Sequence, residues 1–193
     1  KDYFSELDRA TGDGDHGVTM SIGWTAVKEK LRTISSDLTF DKICMQVASS
    51  FLSAVGASAG PLYATALMRG GSKLKDLNSC NSIQLADFFK AAANGIKERG
   101  KAELGDKTML DVWMPASETI EEASNSSEDI VKVLEQGAIK ANESMEATKD
   151  MLSKRGRSSK LGERSVGHID PGAASSSMII NTFFDTVKNL PDS

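Results

Sequence analysis

Cysteine, proline, histidine and aromatic residues are all scarce in this sequence. Its 193 residues include two cysteines, four prolines and two histidines, and aromatic residues account for 6% of the chain. Cys44 and Cys80 lie far apart and lack the spacing of a metal site, so we expect them to be buried or unreactive thiols in a reducing compartment. Cysteine chemistry is therefore not predicted to carry the function.

Long hydrophobic runs are also absent. No stretch approaches the ~18 consecutive apolar residues that a membrane-spanning helix requires, and no signal peptide is visible. These absences predict a cytoplasmic protein. The sequence opens at Lys1 without a methionine, and we expect that an N-terminal segment precedes it.

Charge of one sign is not concentrated anywhere in the chain. Charged residues make up 26% of it, the formal net charge is −4 at pH 7, and no run of like charges exceeds a few residues. This distribution argues against nucleic acid or an anionic membrane as the main partner. A phosphate-bearing ligand would need local neutralisation by a metal ion, by helix ends or by single basic residues.

Strand-like patterns are missing as well. No segment alternates apolar and polar residues with a period of two, and the Gly-rich fingerprints of the P-loop and Rossmann folds are absent. Apolar residues instead recur at helical spacing in seven or eight segments. With 39% hydrophobic residues, one domain over residues 1–193 can bury roughly 70% of its unfolded surface. We therefore predict an all-α, up-and-down antiparallel bundle or barrel of about eight helices.

Helix boundaries follow from capping residues. Asp15 is placed to cap a helix that begins near His16, and Asp170 is placed to cap the last helix. The segment 126–129 resembles a capping box ahead of a helix that can persist to Met151. Alternate connections of an antiparallel bundle share one end, so the loops near residues 8–15, 56–60, 105–109 and 153–170 are predicted to converge there.

The densest chemistry in the sequence lies between Leu7 and Met20. Asp8, Asp13 and Asp15 are interspersed with glycines, which permit positive φ and add no side-chain bulk. The backbone can therefore fold the three carboxylates towards one point, where they would repel each other without a cation. Mg²⁺ is usually held by a few carboxylates together with substrate phosphates, so the motif predicts a magnesium site.

Two other interpretations of this motif are an ordinary polar turn and an EF-hand loop. Asp-Gly pairs are common turn residues, so an isolated Asp13-Gly14-Asp15 favours a turn. An EF-hand needs a bidentate Glu at the twelfth position of its loop. That position is Trp24 when counted from Asp13 and Thr19 when counted from Asp8, which excludes an EF-hand.

The acidic motif and three later blocks resemble the nucleotide-binding L subunit of dihydroxyacetone kinase. The signature of that family reads Leu-Asp, a short spacer and Gly-Asp-Gly-Asp-His-Gly, which stands here as residues 7–8 and 12–17. The second and third blocks are residues 105–111 and 156–173, and a fourth at residues 60–63 matches more loosely. The blocks keep the family order and span nearly the whole chain.

The resemblance implies an eight-helix barrel that holds a nucleotide at one end. It implies that Asp8, Asp13 and Asp15 hold two Mg²⁺ ions, and that Arg157 approaches the phosphates from a polar segment at residues 153–165. These four residues are the predicted catalytic set. The residues that the resemblance assigns to the nucleotide are His16, Gly17, Val18, Thr19, Ser58, Ala59, Gly60, Leu62, Gly105, Thr108, Met109, Arg157, Asp170, Pro171 and Gly172.

The implied function is that of the phosphotransferase-system-dependent kinases. In that family ADP stays bound as a cofactor and is rephosphorylated by a phosphohistidine donor protein, the M subunit. The γ-phosphoryl group then passes to dihydroxyacetone, which is held covalently on a separate K subunit. We therefore expect a phosphotransferase that needs ADP or ATP, Mg²⁺ and both partner subunits, and that has no nucleic-acid or membrane partner.

Three alternatives stay open at this point. The ATP-dependent form fuses an L-like domain to a K domain, but its acidic loop typically lacks a residue such as His16. The related fatty-acid kinase domain reads Pro-Asp-Gly-Asp-Thr-Gly, with which Thr11, Gly12 and His16 disagree. A non-catalytic, nucleotide-dependent regulator would need the same ligand contacts as the kinase subunit.

Overall fold

The structure is a computed structural model that describes residues 1–190, and no β-strand occurs among them. None of the helices in this range is both long and apolar enough to cross a membrane. The prediction of an all-α fold with about eight helices is confirmed. The α-helices are α1 (Asp2–Thr11), α2 (His16–Leu31), α3 (Phe40–Ala54), α4 (Ala59–Gly71), α5 (Ser82–Gly100), α6 (Leu110–Ser126), α7 (Ile130–Ala147) and α8 (Pro171–Lys188); 3-10 segments occupy Ser72–Leu74, Thr148–Asp150 and Ser158–Ser165.

The helices form a closed ring in chain order. Each helix from α1 to α7 packs against the one that follows it, and α8 also contacts α1 and α2. Most connections are short, so successive helices run antiparallel. The C-terminal ends of α1, α3, α5 and α7 therefore share one end of the barrel with the N-terminal ends of α2, α4, α6 and α8.

Aromatic residues at helical spacing join α5, α6 and α8 inside the barrel. Phe89 is fully buried, and its ring centroid lies 5.5 Å from that of Phe88, 6.0 Å from that of Trp113 and 5.3 Å from that of Phe183. Tilted and edge-to-face contacts of this kind stabilise a core beyond the area that they bury. The packed interior holds the helix ends, and with them the connecting loops, in fixed relative positions.

Helix starts agree with the predicted caps only in part. Asp129 accepts hydrogen bonds from two backbone N–H groups in the first turn of α7, so the cap lies at the last residue of the predicted segment. The preceding helix continues through Ser126, and α7 ends at Ala147, earlier than predicted. A reciprocal capping box that was not predicted begins α5, between Asn81 and Gln84.

Candidate functional site

A cavity of about 540 Å³ opens at the end of the barrel where the predicted loops meet. Its wall includes His16, Ala59 and Pro171, the first residues of α2, α4 and α8, and Met109, which precedes α6. The first N–H groups of a helix have no partner within the helix, and they carry partial positive charge. This end of an otherwise acidic chain therefore favours an anionic ligand.

Three carboxylates converge beside this cavity. Asp8, Asp13 and Asp15 each offer an oxygen, and the three oxygens lie within 4.8 Å of one another. Asp8 is buried, whereas Asp13 and Asp15 are exposed in the loop between α1 and α2. The predicted convergence of the three acids is present in the structure.

Helix α1, which supplies Asp8 from its last turn, was not predicted. Its buried residues are Phe4, Ser5, Asp8 and Thr11, and Leu7 packs against the core while partly exposed, so only two large apolar side chains mark the inward face. Apolar periodicity reveals a helix only when several apolar residues recur on one face. The acidic motif is therefore part helix and part loop.

Two glycines shape the space between the carboxylates. Gly14 has a φ of 78°, in the left-handed region that favours glycine. A side chain at Gly12 would overlap the carboxylate of Asp8. The glycines therefore act as the sequence indicated, because they let the loop turn and leave room beside the acids.

The cap of α2 corrects one prediction. Asp15 occupies the N-cap position, but its side chain makes no capping hydrogen bond. Instead the backbone N–H of His16 donates to Oδ2 of Asp8 at 3.1 Å. A carboxylate from the preceding helix thus satisfies the first donor of α2 and adds negative charge where the helix dipole favours it.

Arg157 is the cation that faces the acidic cluster. Its Nη1 donates to Oδ2 of Asp13 and, at 3.2 Å, to Oδ2 of Asp15. All three side chains are more than half exposed. The hydrogen bond and charge of Asp15, followed by the charge of Asp13, raise the pKa of the guanidinium. The predicted polar segment therefore brings a positive charge onto the acidic loop.

A buried hydroxyl network holds the imidazole of His16. Its Nε2 lies 2.9 Å from Oγ of Ser175, which lies 3.0 Å from the hydroxyl of Tyr63. Burial lowers the pKa of His16, and the charges of Asp8 and Asp15 oppose that shift. The network ties α2, α4 and α8 together at the cavity.

The loop before α6 is organised by one buried carboxylate. Asp111 accepts hydrogen bonds from the backbone N–H of Gly105 at 2.6 Å and of Thr108 at 2.7 Å. Gly105 has a φ of 84°, which a side chain would disfavour. These bonds place Thr108 and the buried Met109 on the cavity wall.

The start of α8 carries a second buried acid. Asp170 accepts a hydrogen bond from the N–H of Ala173 at 2.8 Å, which confirms its predicted capping role. Burial raises the pKa of Asp170 to about 7, and the charge of Asp111 adds to the shift, although hydrogen bonds and Lys107 oppose it. A Cβ at Gly172 would lie 2.9 Å from Oδ2 of Asp170, so this turn leaves no room for a side chain.

The turn before α4 is tight. The N–H of Gly60 donates to the carbonyl of Ala57 at 3.0 Å, and a side chain at Gly60 would overlap the carbonyl of Val55. Ser58 and Ala59 begin the helix at the cavity wall, and Ser58 is exposed. The tight turn therefore sets the start of α4 at the wall of the cavity.

Most of the predicted site residues surround the cavity. Five lie outside its lining: Asp13, Gly17, Val18, Gly60 and Gly105. Gly17 is buried and Val18 is exposed, whereas Gly60 and Gly105 shape the turns beside the cavity. Their contact with a nucleotide stays a prediction, as it does for the lining residues. The predicted residues that line the cavity are Asp8, Asp15, His16, Thr19, Ser58, Ala59, Leu62, Thr108, Met109, Arg157, Asp170, Pro171 and Gly172.

Several lining residues were not singled out from the sequence. Lys107 lies inside the block at residues 105–111 and Tyr63 inside the looser block at residues 60–63, so membership of a motif block was the available signal for both. Arg155 lies in the predicted polar segment. Ile96 has the pattern of a core residue, and nothing local distinguishes it from core. The further lining residues are Thr11, Ala57, Pro61, Arg99, Gly100, Ala102, Gly156 and Ser158.

Comparison with protein families identifies this helical barrel. The family model described as "DAK2 domain" matches residues 10–185. The chain belongs to the DAK2 domain family. This membership accounts for the order of the four motif blocks.

Two curated relatives match this chain over most of their own length. The ADP-binding subunit DhaL of the PEP-dependent dihydroxyacetone kinase of Escherichia coli K12 is 39% identical over 175 residues, which span 90% of this chain and 82% of that protein. The ADP-binding subunit DhaL of the PTS-dependent dihydroxyacetone kinase of Lactococcus lactis is 35% identical over 187 residues, 97% of this chain and 88% of that protein. This DAK2 chain therefore resembles separate subunits over nearly their full length.

Solved structures show the same fold inside a longer protein. The native dihydroxyacetone kinase of C. freundii superimposes with a TM-score of 0.72 at 21% identity, over 96% of this chain and 31% of that chain. A second structure of that kinase, described as a complex with AMP-PNP and Mg²⁺, gives the same TM-score at 20% identity. At this level of identity the likeness establishes the fold of the DAK2 chain.

Proposed function

We propose that this chain is the ADP-binding subunit of a dihydroxyacetone kinase that is driven by a phosphohistidine donor protein. The observation that supports this proposal most strongly is the cluster of Asp8, Asp13 and Asp15 beside a cavity at the helix N-termini. The E. coli and L. lactis relatives are ADP-binding subunits of PEP-dependent and PTS-dependent dihydroxyacetone kinases, which supports the choice of substrate and of phosphoryl source. Residues 1–193 would act as one nucleotide-binding domain in the cytoplasm.

The donor set of the cluster suits Mg²⁺. It offers only carboxylate oxygens, and Gly12 leaves space beside the oxygens of Asp8. A hard cation of this kind prefers a few carboxylates plus phosphate oxygens and water. Asp8, Asp13 and Asp15 would hold the Mg²⁺, which when bound would neutralise the charge of the phosphoryl group during transfer, and we propose two such ions.

The residues of the chain itself would bind and orient the nucleotide. The N–H groups of Gly17 and Val18, in the first turn of α2 beside the metal ligands, would donate to the phosphates, because those of His16 and Thr19 already bond to Asp8 and to the carbonyl of Asp15. Arg157 pairs with Asp13 and Asp15 in the ligand-free chain, so a bound cation would compete for the same oxygens. The freed guanidinium would then bind the phosphates that enter with the cation.

The apolar part of the cavity would take the remainder of the nucleotide. Its apolar lining includes Leu62 from the first turn of α4, Ile96 from near the end of α5 and Met109 from the loop before α6. The K subunit with its dihydroxyacetone and the phosphohistidine donor, the M subunit, would both approach the open end of the barrel. No nucleophile from this chain is required, because the bound nucleotide carries the phosphoryl group between the two partners.

A reconstituted transfer assay tests the proposal. The chain would be mixed with a K subunit, a phosphohistidine donor, Mg²⁺ and dihydroxyacetone, and dihydroxyacetone phosphate would be measured. We expect product to form with only a stoichiometric amount of ADP, and Asp13→Asn to abolish it. Asp87→Asn is the matched control, because Asp87 is an exposed acid of α5 outside the cavity lining.

The assay also separates the alternatives. Turnover with free ATP and no phosphohistidine donor would favour the ATP-dependent kinase. Tight Mg²⁺-ADP binding without transfer in either format would favour a regulator. A chain that binds no Mg²⁺-ADP at all would contradict the proposal.

A further inference from the structure

Lys107 is the most deeply buried cationic side chain in the described chain. It is 1% exposed, and no carboxylate among residues 1–190 lies within ion-pair distance of its ammonium. Burial lowers the pKa of the ammonium, while the charges of Asp170 and Asp150 oppose that shift. A buried lysine costs free energy unless its donors are satisfied, so its hydrogen-bond partners indicate what it does.

The partners of Lys107 are two backbone carbonyls at the two ends of one segment. Nζ donates to the carbonyl of Met151 at 3.2 Å and to the carbonyl of Ser165 at 2.5 Å. Arg157 lies between these two carbonyls, in the polar segment at residues 153–165. A single side chain thus joins the point where this segment leaves the barrel to the point where it returns.

Further hydrogen bonds join the two ends of this segment to each other and to Asp106. The N–H of Ser153 donates to Oγ of Ser165 at 3.0 Å, and the N–H of Lys154 donates to the carbonyl of Asp106 at 3.1 Å. The carboxylate of Asp106 also accepts from Nε of Arg155 at 3.2 Å. Asp106 and Lys107 therefore hold the segment at several points along its base.

The backbone of Lys107 is itself in an uncommon conformation. Its φ is 62°, in the left-handed region that residues other than glycine adopt infrequently. A residue other than glycine stays in this region only when surrounding contacts hold its backbone there. The next two residues, Thr108 and Met109, line the cavity, so the same turn serves the cavity wall and the segment base.

We propose that Lys107 is a positioning residue. Its ammonium bonds to the carbonyls of Met151 and Ser165, at the two ends of the polar segment 153–165, and thereby holds Arg157 over the acidic cluster. We call these two hydrogen bonds the clasp. This inference rests on the proposed function, because the purpose of the clasp is to retain the nucleotide. Two of the three ammonium donors are taken by carbonyls, so the clasp accounts for the burial of Lys107 without a ligand.

Hydrogen exchange of the nucleotide-free protein tests the clasp directly. In Lys107→Met, which keeps side-chain length but has no donor, we expect the amides of residues 153–167 to exchange about tenfold faster or more, since two charge-assisted hydrogen bonds are lost. Exchange in the core helices α5 and α6 should stay unchanged. Lys160→Met is the matched control, because Lys160 is an exposed lysine of the same segment.

A double-mutant cycle then tests whether Lys107 acts through Arg157. Dissociation of Mg²⁺-ADP would be measured in Lys107→Met, Arg157→Ala and the double variant. A positioning role predicts that both single variants release ADP faster and that the double variant releases it no faster than Arg157→Ala. Independent, additive losses would overturn the proposal, as would faster release without any change in hydrogen exchange.

A second variant, Lys107→Gln, covers the case in which Lys107→Met fails to fold. Its shorter, neutral side chain keeps an amide donor but weakens the hydrogen bonds to the carbonyls of Met151 and Ser165. It should also raise exchange in residues 153–167, and unchanged exchange would overturn the clasp. A wild-type chain that binds no Mg²⁺-ADP would overturn the proposed function alone, because the exchange measurement needs no nucleotide.

Discussion

Arg157 gives the acidic cluster a positive partner from a distant part of the sequence. The loop acids and this arginine are separated by 144 residues for Asp13 and 142 for Asp15. Their side chains are largely exposed, so the pairs are screened and contribute little to folding. We therefore propose that Arg157 serves ligand binding, in which it would contact a phosphate.

The first prediction concerns this arginine. Arg157→Ala should speed ADP release by about tenfold to a hundredfold, because a charged hydrogen-bond partner of the phosphates is lost. The melting temperature without nucleotide should barely change. Chase kinetics with a fluorescent ADP analogue measure the release, and Arg164→Ala, an exposed arginine of the same segment, is the control. Equal release rates in the wild type and Arg157→Ala would contradict the role.

The second prediction separates Asp8 from the other two acids. Asp8 is buried and caps α2 through the His16 N–H, so Asp8→Ala should lower the free energy of unfolding by about 0.5–2 kcal/mol even without metal. Asp13→Ala should cause no comparable loss, because Asp13 is exposed and caps no helix. Both variants should lose Mg²⁺-ADP binding. Urea unfolding of the metal-free proteins measures the difference, and equal stabilities would exclude the capping role.

At the scale of the elements, the four helix starts at the cavity are not equivalent. Helix α2 is capped by a carboxylate from another helix, and α8 is capped by its own Asp170. The caps at α4 and α6 make no side-chain hydrogen bond. In their first turns the N–H of Leu110 donates to Oγ1 of Thr108 at 3.1 Å, and the N–H of Gly60 donates to the carbonyl of Ala57 at 3.0 Å.

The third prediction concerns the cap of α8 and its pH dependence. The pKa of Asp170 is about 7 in the folded chain, against 3.8 for an ordinary aspartate. Because the folded value is the higher one, the folded state binds more protons between these pH values. The stabilisation linked to this proton is complete below about pH 4 and is lost as the pH rises through about 7.

Asp170→Asn should remove this dependence while keeping a capping oxygen. Relative to the wild type, the variant should gain stability as the pH rises from 4 towards 7, by up to roughly 1.4 kcal/mol for each pH unit. Denaturant unfolding at pH 5 and pH 8 measures the gain. Asp129→Asn is the control, because hydrogen bonding to the backbone of Lys132 lowers the pKa of that exposed cap and leaves it ionised at both pH values. The same difference at both pH values would contradict the raised pKa of Asp170.

At the scale of the whole molecule, the barrel places its ligand site on the ends of its helices. The core that joins α5, α6 and α8 lies inside the ring, and the cavity lies at one end of it. A ligand that fills this cavity contacts elements from both halves of the chain. Binding should therefore stabilise the cooperative fold as a unit.

The fourth prediction tests this linkage. A hundredfold excess of Mg²⁺-ADP over its Kd should raise the free energy of unfolding by about 2.7 kcal/mol, which corresponds to about 5–11 °C in melting temperature. ADP with a chelator should give a much smaller shift, because the phosphates then face uncompensated carboxylates. Asp13→Asn should remove most of the shift, and Asp87→Asn should keep it. A full shift without Mg²⁺ would count against the metal site.

Much of the site could be predicted from the sequence because its motifs are short and local. The spacing of Asp13 and Asp15 among glycines specifies a turn that gathers oxygens, and Asp170 before Pro171 specifies a helix start. Helical periodicity specified most of the helices for the same reason, since it is set by residues three and four positions apart. Family resemblance then supplied the roles that local chemistry leaves open.

By itself, the sequence determined an all-α chain with an acidic, glycine-rich motif, and it predicted the family that the comparison confirmed. Tertiary structure alone decided that Asp8 caps α2, that Arg157 lies on the loop acids, and that Lys107 is buried against two carbonyls. These contacts join residues far apart in the chain, and their partners depend on how the helices pack. Local patterns fix which groups are present, whereas packing fixes which of them meet.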